Sequence, residues 1–335
     1  MDRRLFDQQL EKGNIPSVLL FEGEEEHLKQ EALSRLKSRI LPEGMEEMNM
    51  LLLSDPDTDQ LIAAAETLPF LADRRLVIVR DHPALLGRCE ADSRLLDYLP
   101  AVPASTVLLF FCTGKPDGRK KLYTVLKKMD AVVSFTALKG AELTGFVTEG
   151  FRKAGKECDE RTAEYLVFMV GSDSGLLLEE IAKIASYAGD RPSVTAGDVS
   201  ALATPSTECT VFQMVDAVVS GQKGRTLSLL NHLLLAGTDR VSILALLLRQ
   251  FRLLQHVKIM QYEKRSRESI RSALGVQPFI ADQFLRQASA YTGGQVRKAV
   301  ALCLETEYAV KSGRLLQDSA LEAVILKLLS LRDKE

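Results

Sequence analysis

Long apolar runs, paired cysteines and an excess of charge are all missing from this chain of 335 residues. The apolar run from Ile243 to Leu248 ends at Arg249, and no run approaches the ~20 residues that a membrane-spanning helix needs. Residues 1–14 are polar and charged, which is unlike a signal peptide. The sequence therefore predicts a soluble, cytoplasmic protein.

The five cysteines, at positions 89, 112, 158, 209 and 303, are too far apart to form a CxxC pair. This spacing argues against a metal cluster or a redox motif, and we expect the cysteines to be small apolar residues of the core in a reducing compartment. The 43 basic residues nearly balance the 45 acidic ones. Any DNA contact would therefore come from a local patch rather than from net charge.

The first 140 residues alternate short apolar runs with helical patterns, which is typical of an α/β domain with a mostly parallel sheet and helices on both faces. The runs that predict its five strands are Val18 to Phe21, Met48 to Leu53, Leu76 to Val79, Val107 to Phe111 and Ala131 to Phe135. Only helical patterns follow. We expect a helical lid over 141–204 and a helical domain over 205–335, with Thr204 to Cys209 as the linker.

Leucine is unusually frequent between Ser242 and Gln261. The pattern predicts a helix that is buried nearly all round, either in its own domain or at an oligomer interface.

The loop after the first predicted strand holds the frame of a phosphate-binding P-loop, GxxxxGK[ST]. The positions that the frame covers are Gly23, Glu24, Glu25, Glu26, Leu28, Lys29 and Gln30. Leu28 replaces a glycine whose backbone freedom a P-loop needs, and the three glutamates put negative charge where a polyphosphate would lie. We predict that this degenerate loop binds no nucleotide. A simpler interpretation leads to the same result: Gly23 ends a strand, and the glutamates favour a helix N-terminus.

Two other positions bear on nucleotide chemistry. The third predicted strand is followed by Arg80-Asp81-His82. A working ATPase with a P-loop would carry a pair of carboxylates here, for magnesium and water, and only one is present. The helical region offers no obvious arginine that would lie over a nucleotide, although the sequence leaves Arg191 open for that role. We expect no catalytic residue and no cofactor.

A basic cluster lies between the fourth and fifth predicted strands. Its members are Arg119, Lys120, Lys121, Lys127 and Lys128. A solvated helix face is the simpler interpretation. The alternative is contact with DNA phosphates inside a larger ring, and without interleaved aromatic residues such a contact would read no bases.

The turn before the third predicted strand is unusually apolar, with Leu68, Pro69, Phe70 and Leu71. Pro69 cannot continue the helix suggested by Leu61 to Ala65. In one interpretation the side chains of the turn fold back over the sheet, as most apolar residues near a strand do. In the other, Phe70 and Leu71 point outward as an anchor for another protein's pocket. The polar rim of that anchor would be Asp73, Arg74 and Arg75.

The stretch Leu68-Pro-Phe-Leu-Ala-Asp-Arg-Arg-Leu-Val-Ile-Val-Arg-Asp81 resembles the signature of the delta subunit of the bacterial DNA polymerase III clamp loader. The resemblance extends over nearly the whole chain. Other segments that carry it are Leu19-Leu-Phe-Glu-Gly-Glu-Glu-Glu-His-Leu-Lys-Gln-Glu-Ala-Leu33, Leu244-Ala-Leu-Leu-Leu-Arg-Gln-Phe-Arg-Leu-Leu254 and Leu274-Gly-Val-Gln-Pro-Phe279. Each is moderate evidence alone, and together, in this order, they are specific.

The resemblance implies an AAA+-like domain, a lid and a helical collar that joins a five-membered ring. It implies a subunit that binds no nucleotide itself and works with gamma/tau-type ATPase subunits and a delta-prime subunit. Its loop at Leu68, Pro69, Phe70 and Leu71 would bind and open the β sliding clamp for loading on primed DNA. Such a subunit would count as a DNA-directed DNA polymerase, a nucleotidyltransferase, only as part of the holoenzyme.

The sequence differs from related clamp-loader subunits in two respects. Phe70 precedes Leu71, whereas some relatives have Leu then Phe, so the sequence leaves open which side chain fills which clamp pocket. The chain also lacks the Ser-Arg-Cys motif and the four-cysteine zinc cluster of the ATPase members.

Two other functions stay open from the residues alone. One is an active AAA+ ATPase, because Lys29 stands in the P-loop frame of an α/β domain with a lid. The other is a DNA-binding regulator that uses the helix from Arg119 to Lys128.

Overall fold

The computed structural model describes residues 1, 3–276 and 278–331. Its contacts divide the chain into two compact units, Met1–Leu138 and Lys139–Glu335. The finer division of the second unit into a lid and a collar stays a prediction. Within the motif that ends at Phe279, Gln277 lies outside the described residues.

The first unit is an α/β domain around a five-stranded parallel sheet, as predicted. Its strands are β1 (Val18–Glu22), β2 (Met50–Ser54), β3 (Arg75–Arg80), β4 (Thr106–Phe111) and β5 (Val132–Ser134). The strand order is β2-β3-β4-β1-β5, and every neighbouring pair is parallel. The carboxyl ends of all five strands therefore meet at one edge of the sheet, and the loops that lead into the strands lie at the other.

The interior strands are buried on both faces, which explains their continuous apolar sequences. All six residues of β4 and the first five of β3 are buried, whereas the edge strand β2 leaves Leu51 and Leu52 exposed. β2 also begins two residues later than predicted. Met48 and the buried Asn49 belong to a short helix before it.

Helices cover both faces of the sheet. They are α1 (Arg3–Glu11), α2 (Glu26–Ile40), α3 (Glu46–Asn49), α4 (Thr58–Glu66), α5 (Ser93–Tyr98) and α6 (Lys121–Lys128), with a 3-10 turn at Leu99–Ala101. One core joins Leu20, Val79 and Phe110 to residues of α4, α5 and α6. On the opposite face Phe21 packs edge-on against Phe6, with ring centroids 5.1 Å apart. The period-two alternation of each strand supplies both cores.

The second unit, as far as the structure describes it, consists of helices. They are α7 (Ala141–Lys153), α8 (Glu160–Val170), α9 (Ser174–Ala188), α10 (Ala196–Leu202), α11 (Thr207–Val219), α12 (Lys223–Leu235), α13 (Arg240–Tyr262), α14 (Arg267–Leu274), α15 (Pro278–Ser289), α16 (Gly293–Lys311) and α17 (Gln317–Ser330). A capping box formed by Thr195 and Asp198 opens α10. The linker predicted from Thr204 to Cys209 is shorter in the structure, because α11 already begins at Thr207 with Ser206 as its N-cap.

The long helix α13 lies at the centre of the second unit's core, and within this chain one face of it is exposed. Burial of that face at an oligomer interface, the other predicted alternative, stays a prediction. Ile243, Leu247 and Leu254 are buried. One stripe of the helix is exposed, namely Ala245, Arg249, Arg252, His256 and Ile259. These positions recur every three or four residues, so they share one face of the helix. The leucines of the segment lie on its other faces, where they are buried or half-buried.

The cysteines differ in burial, so one part of the prediction about them is wrong. Cys112, Cys209 and Cys303 are buried, and burial raises the pKa of each thiol to about 12. Cys158 is half-buried, and Cys89 is exposed. Among the described residues, no helix is both long and apolar enough to cross a membrane.

The sidedness of α13 can be tested by substitution. Leu247→Ala should lower the free energy of unfolding by about 2–5 kcal/mol, because it leaves a cavity in the core. Arg252→Ala on the exposed stripe should change that free energy by less than about 0.5 kcal/mol. Urea unfolding followed by circular dichroism measures both. Equal losses would contradict the exposed stripe.

Candidate functional site

The apolar loop, residues 67–74, joins α4 to β3 at the edge of the sheet where the strands begin. α4 ends at Glu66, and its C-cap residue Thr67 is already extended. Pro69 disfavours helical geometry at the residue before it, Leu68. Leu68, Phe70 and Leu71 are 79%, 52% and 74% exposed, and Pro69 is half-buried. The interpretation in which these side chains fold back over the sheet is therefore wrong.

The backbone of the apolar loop is strained at its tip. Leu71 has a φ of 49°, which lies in the left-handed region that residues other than glycine rarely adopt. Such a conformation costs roughly 1–2 kcal/mol. A neighbouring interaction of similar size must therefore hold the loop in this shape.

That interaction comes from Asn49, the last residue of α3, whose side chain is fully buried. The backbone N–H of Phe70 donates to Asn49 Oδ1 over 2.7 Å, and Asn49 Nδ2 donates to the carbonyl oxygen of Phe70 over 2.9 Å. Nδ2 also donates to Met45 O over 3.2 Å. At about 0.5–1.5 kcal/mol for each net hydrogen bond, the pair on Phe70 is large enough to offset the strain at Leu71.

Asn49 was not among the residues singled out from the sequence, because it lies inside an apolar run that predicted a strand. A signal was nevertheless present. A lone amide in such a run is costly to bury unless it has partners, so its presence indicates a specific hydrogen-bonding task.

The predicted polar rim of the loop is only partly correct. Asp73 is exposed. Arg74 is half-buried and donates to Ile15 O over 2.8 Å, and Arg75 is buried and donates to Thr67 O over 3.1 Å. Burial lowers the pKa of both guanidinium groups. Arg75 is therefore a support at the base of the loop rather than a rim residue.

The degenerate P-loop lies at the opposite edge of the sheet, after β1. Gly23 has a φ of 117°, and a Cβ atom there would come within 2.2 Å of Phe135 O. The glycine is therefore required by close packing against the segment after β5. The Glu25 N–H donates to Phe135 O, and the Glu26 N–H donates to Glu24 O. These two amides are thus already paired, whereas a P-loop turns its amides towards phosphate.

Lys29 is buried within the domain instead of reaching into solvent. Its Nζ donates to Cys112 O over 2.6 Å, pairs with Glu26 over 2.9 Å and lies 5.4 Å from the centroid of the Phe111 ring. Leu28 is buried beside it, and Gln30 is exposed and donates to Glu26. The lysine that a P-loop would offer to phosphates here binds the backbone just after β4.

The carboxylate after β3 is also engaged by the chain itself. Asp81 Oδ1 accepts hydrogen bonds from Thr113 N over 2.8 Å and from Thr113 Oγ1 over 3.1 Å. Arg80 lies 5.5 Å from the Phe111 ring centroid. These contacts tie the ends of β3 and β4 together.

Arg191, the other candidate for nucleotide chemistry, forms a two-pronged pair with Asp198 at 2.8 and 3.1 Å. This pair holds the pKa of the Asp198 carboxyl well below its usual range. The guanidinium group therefore serves the local structure of the second unit, at the start of α10.

The basic cluster lies on and just before α6, and its five members differ. Arg119 is bound to Asp117, and Lys120 pairs with Glu90 over 2.7 Å. Lys121, Lys127 and Lys128 are exposed. Among the described residues, therefore, only Lys121, Lys127 and Lys128 of the predicted patch have no carboxylate within ion-pair distance.

The fold and these sites define a class of protein before any relative is considered. It is a protein with an α/β domain around a parallel five-stranded sheet, followed by helices. The P-loop frame after β1 is engaged by the chain itself, and an exposed apolar loop lies at the opposite edge of the sheet. Two family models match the chain: "DNA polymerase III, delta subunit" over residues 19–136, and its C-terminal domain over residues 208–328. The chain belongs to the DNA polymerase III delta subunit family.

Individual relatives agree with this assignment. The chain is 29% identical over 336 residues to DNA polymerase III subunit delta of Bacillus subtilis (strain 168), covering 98% of this chain and 97% of the relative. It is 23% identical over 240 residues to a probable DNA polymerase III subunit delta of Aquifex aeolicus (strain VF5), covering 69% and 67%. The structure of the Bacillus subtilis DNA clamp loader delta protein matches with a TM-score of 0.57 at 28% identity, covering 98% and 99%. The predicted fold class is confirmed.

Lys29→Met tests whether the lysine has a structural task. Methionine is unbranched and only one atom shorter than lysine, but it leaves Cys112 O without its donor. We therefore expect the free energy of unfolding to fall by about 1–3 kcal/mol. Lys121→Met on the exposed end of α6 is the matched control and should change it by less than about 0.5 kcal/mol. Equal stability of the two variants would show that Lys29 is not held in the interior.

Calorimetry with Mg-ATP tests the degenerate loop directly. Because the loop amides and Lys29 are bound to the chain itself, we expect no saturable heat in the micromolar range. A clamp-loader ATPase subunit, titrated in parallel, serves as the positive control. Micromolar binding to this chain would contradict the interpretation of the loop.

Proposed function

We propose that this delta-family protein binds a β sliding clamp through Leu68, Pro69, Phe70 and Leu71 of the apolar loop and stabilises the clamp in an opened state. The observation that carries the proposal is the exposure of three large apolar side chains on one loop, held outward against the tendency of such groups to be buried. Anchors of this kind commonly dominate the energetics of an interface.

The free energy that the loop can contribute is comparable to the free energy needed to shift a ring from a closed to an open state. Burying two large side chains contributes at most roughly 3–6 kcal/mol, at about 1.5–3 kcal/mol each. Reversing a two-state equilibrium from 1:99 to 99:1 needs about 5.5 kcal/mol of differential affinity. The loop can therefore shift a ring between closed and open states only if nearly all of its contact is made with the open state.

No chemical step is assigned to this chain. The engaged states of Lys29 and Asp81 favour a subunit that acts by binding energy alone, so nucleotide hydrolysis would come from other members of the loader. We propose that gamma/tau-type ATPase subunits and a delta-prime subunit join it through the helical region 205–335. The exposed stripe of α13 and the exposed Leu235 and Leu316 belong to that region.

DNA contact is a secondary part of the proposal. Lys121, Lys127 and Lys128 on α6 could meet the phosphate backbone of primed DNA within the assembled loader, whereas Arg119 and Lys120 are bound to carboxylates of their own. With a net charge of −2, the chain has no global field that favours an independent DNA-binding regulator.

The double variant Phe70→Ala/Leu71→Ala tests the clamp-binding role. We expect its dissociation constant for the cognate sliding clamp to rise at least about tenfold, which corresponds to roughly 1.4 kcal/mol. Because both side chains are largely in water, the melting temperature should stay close to that of the unaltered protein. Surface plasmon resonance with immobilised clamp measures the first quantity, and a thermal scan measures the second.

The matched control is Leu176→Ala on α9, where another leucine is 50% exposed. It removes an exposed apolar side chain from another part of the chain and should leave clamp affinity unchanged. If the double variant binds the clamp as tightly as this control, the apolar loop is not the anchor.

A further inference from the structure

We propose that Asn49 is the positioning residue of the apolar loop, so that the side chains of Phe70 and Leu71 are presented to the partner in one fixed geometry. This inference rests on the proposed function, since it concerns how the same loop binds a clamp. Asn49 itself is fully buried, so it would act through the loop rather than by direct contact with a partner.

The Asn49 side chain brackets the backbone of one residue, Phe70, by binding both its N–H and its carbonyl oxygen. Its Oδ1 accepts from the N–H of Phe70, and its Nδ2 donates both to Phe70 O and to Met45 O. Both amide hydrogens and one oxygen lone pair are therefore used. The last of these contacts ties the side chain to Met45, the residue that precedes α3, so the bracket is anchored to the chain at a second point.

The loop has little else to hold its tip. In the part of the chain that the structure describes, the backbone of residues 68–74 forms no hydrogen bond with another backbone group. Arg75 fixes the base of the loop through Thr67 O, and Arg74 through Ile15 O, but neither reaches Phe70 or Leu71. Asn49 is thus the contact that acts on the tip.

The strained φ of Leu71 makes this contact consequential. Without the bracket, the tip would relax from the left-handed region, and the apolar side chains would turn towards the sheet surface, as the hydrophobic effect favours. Only a fraction of molecules would then have the loop in a binding-competent shape, and the apparent dissociation constant rises in inverse proportion to that fraction.

The primary test is the affinity of Asn49→Ala for the cognate β sliding clamp. We expect the dissociation constant to rise about tenfold. Asn49→Asp is a second, isosteric variant for use if the alanine variant folds poorly. A carboxylate has no N–H for the carbonyl oxygens of Phe70 and Met45, so it should also weaken binding.

Two readouts separate positioning from a general loss of stability. Lys29→Met removes another buried donor to a backbone carbonyl at the opposite edge of the sheet, and it should leave clamp affinity within twofold. Hydrogen exchange in the isolated protein should speed up at the peptide containing Phe70 in Asn49→Ala and not in Lys29→Met. If Lys29→Met weakens clamp binding as much as Asn49→Ala, the effect is general destabilisation and the inference is overturned.

A double-mutant cycle completes the design. Asn49→Ala placed in the Phe70→Ala/Leu71→Ala background should change affinity by less than twofold, because the side chains that it positions are gone. Additive losses would overturn the positioning role. Normal binding by Asn49→Ala together with weak binding by Phe70→Ala/Leu71→Ala would refute the inference and leave the clamp-binding role intact. Normal binding by both would refute the clamp-binding role itself.

Discussion

Two hydrogen bonds between the Asn49 side chain and the Phe70 backbone hold large apolar side chains in water, where the hydrophobic effect opposes them. A loop that only connected α4 to β3 would bury Leu68, Phe70 and Leu71 or replace them with polar residues. Here the chain instead places a buried amide under the loop and accepts a left-handed leucine at its tip. Local strain that the surrounding structure supports is typical of sites that bind something.

At the opposite edge of the sheet, groups that could bind a ligand are instead bound to the chain itself. A P-loop leaves amides and a lysine available for phosphate, but here the Glu25 amide binds Phe135 O and Lys29 binds Cys112 O. The chain thus uses as internal support the groups that a nucleotide would have organised. The two edges together support the proposed function, in which this chain supplies binding energy and other subunits supply the energy of hydrolysis.

The sequence predicted the five parallel strands well because continuous apolar runs such as Leu76 to Val79 leave few alternatives. It was less reliable where burial depends on tertiary partners. The leucines of α13 could not reveal that Arg252 and His256 share an exposed stripe, and nothing local showed that Arg75 turns inward to Thr67. Asn49 escaped notice because its partner, Phe70, lies 21 residues further along the chain. The outward orientation of Phe70 and Leu71 was left open by the residues alone and became an expectation only through family resemblance.

The most direct measurement of clamp engagement is site-specific photocrosslinking. A benzophenone side chain is introduced at Leu71 and, as a control, at Leu176, and each protein is irradiated with the cognate sliding clamp. We expect a covalent adduct from position 71 whose clamp peptide maps to an apolar pocket, and none from position 176. A protein that still binds the clamp but yields no adduct from position 71 would contradict the role of the apolar loop.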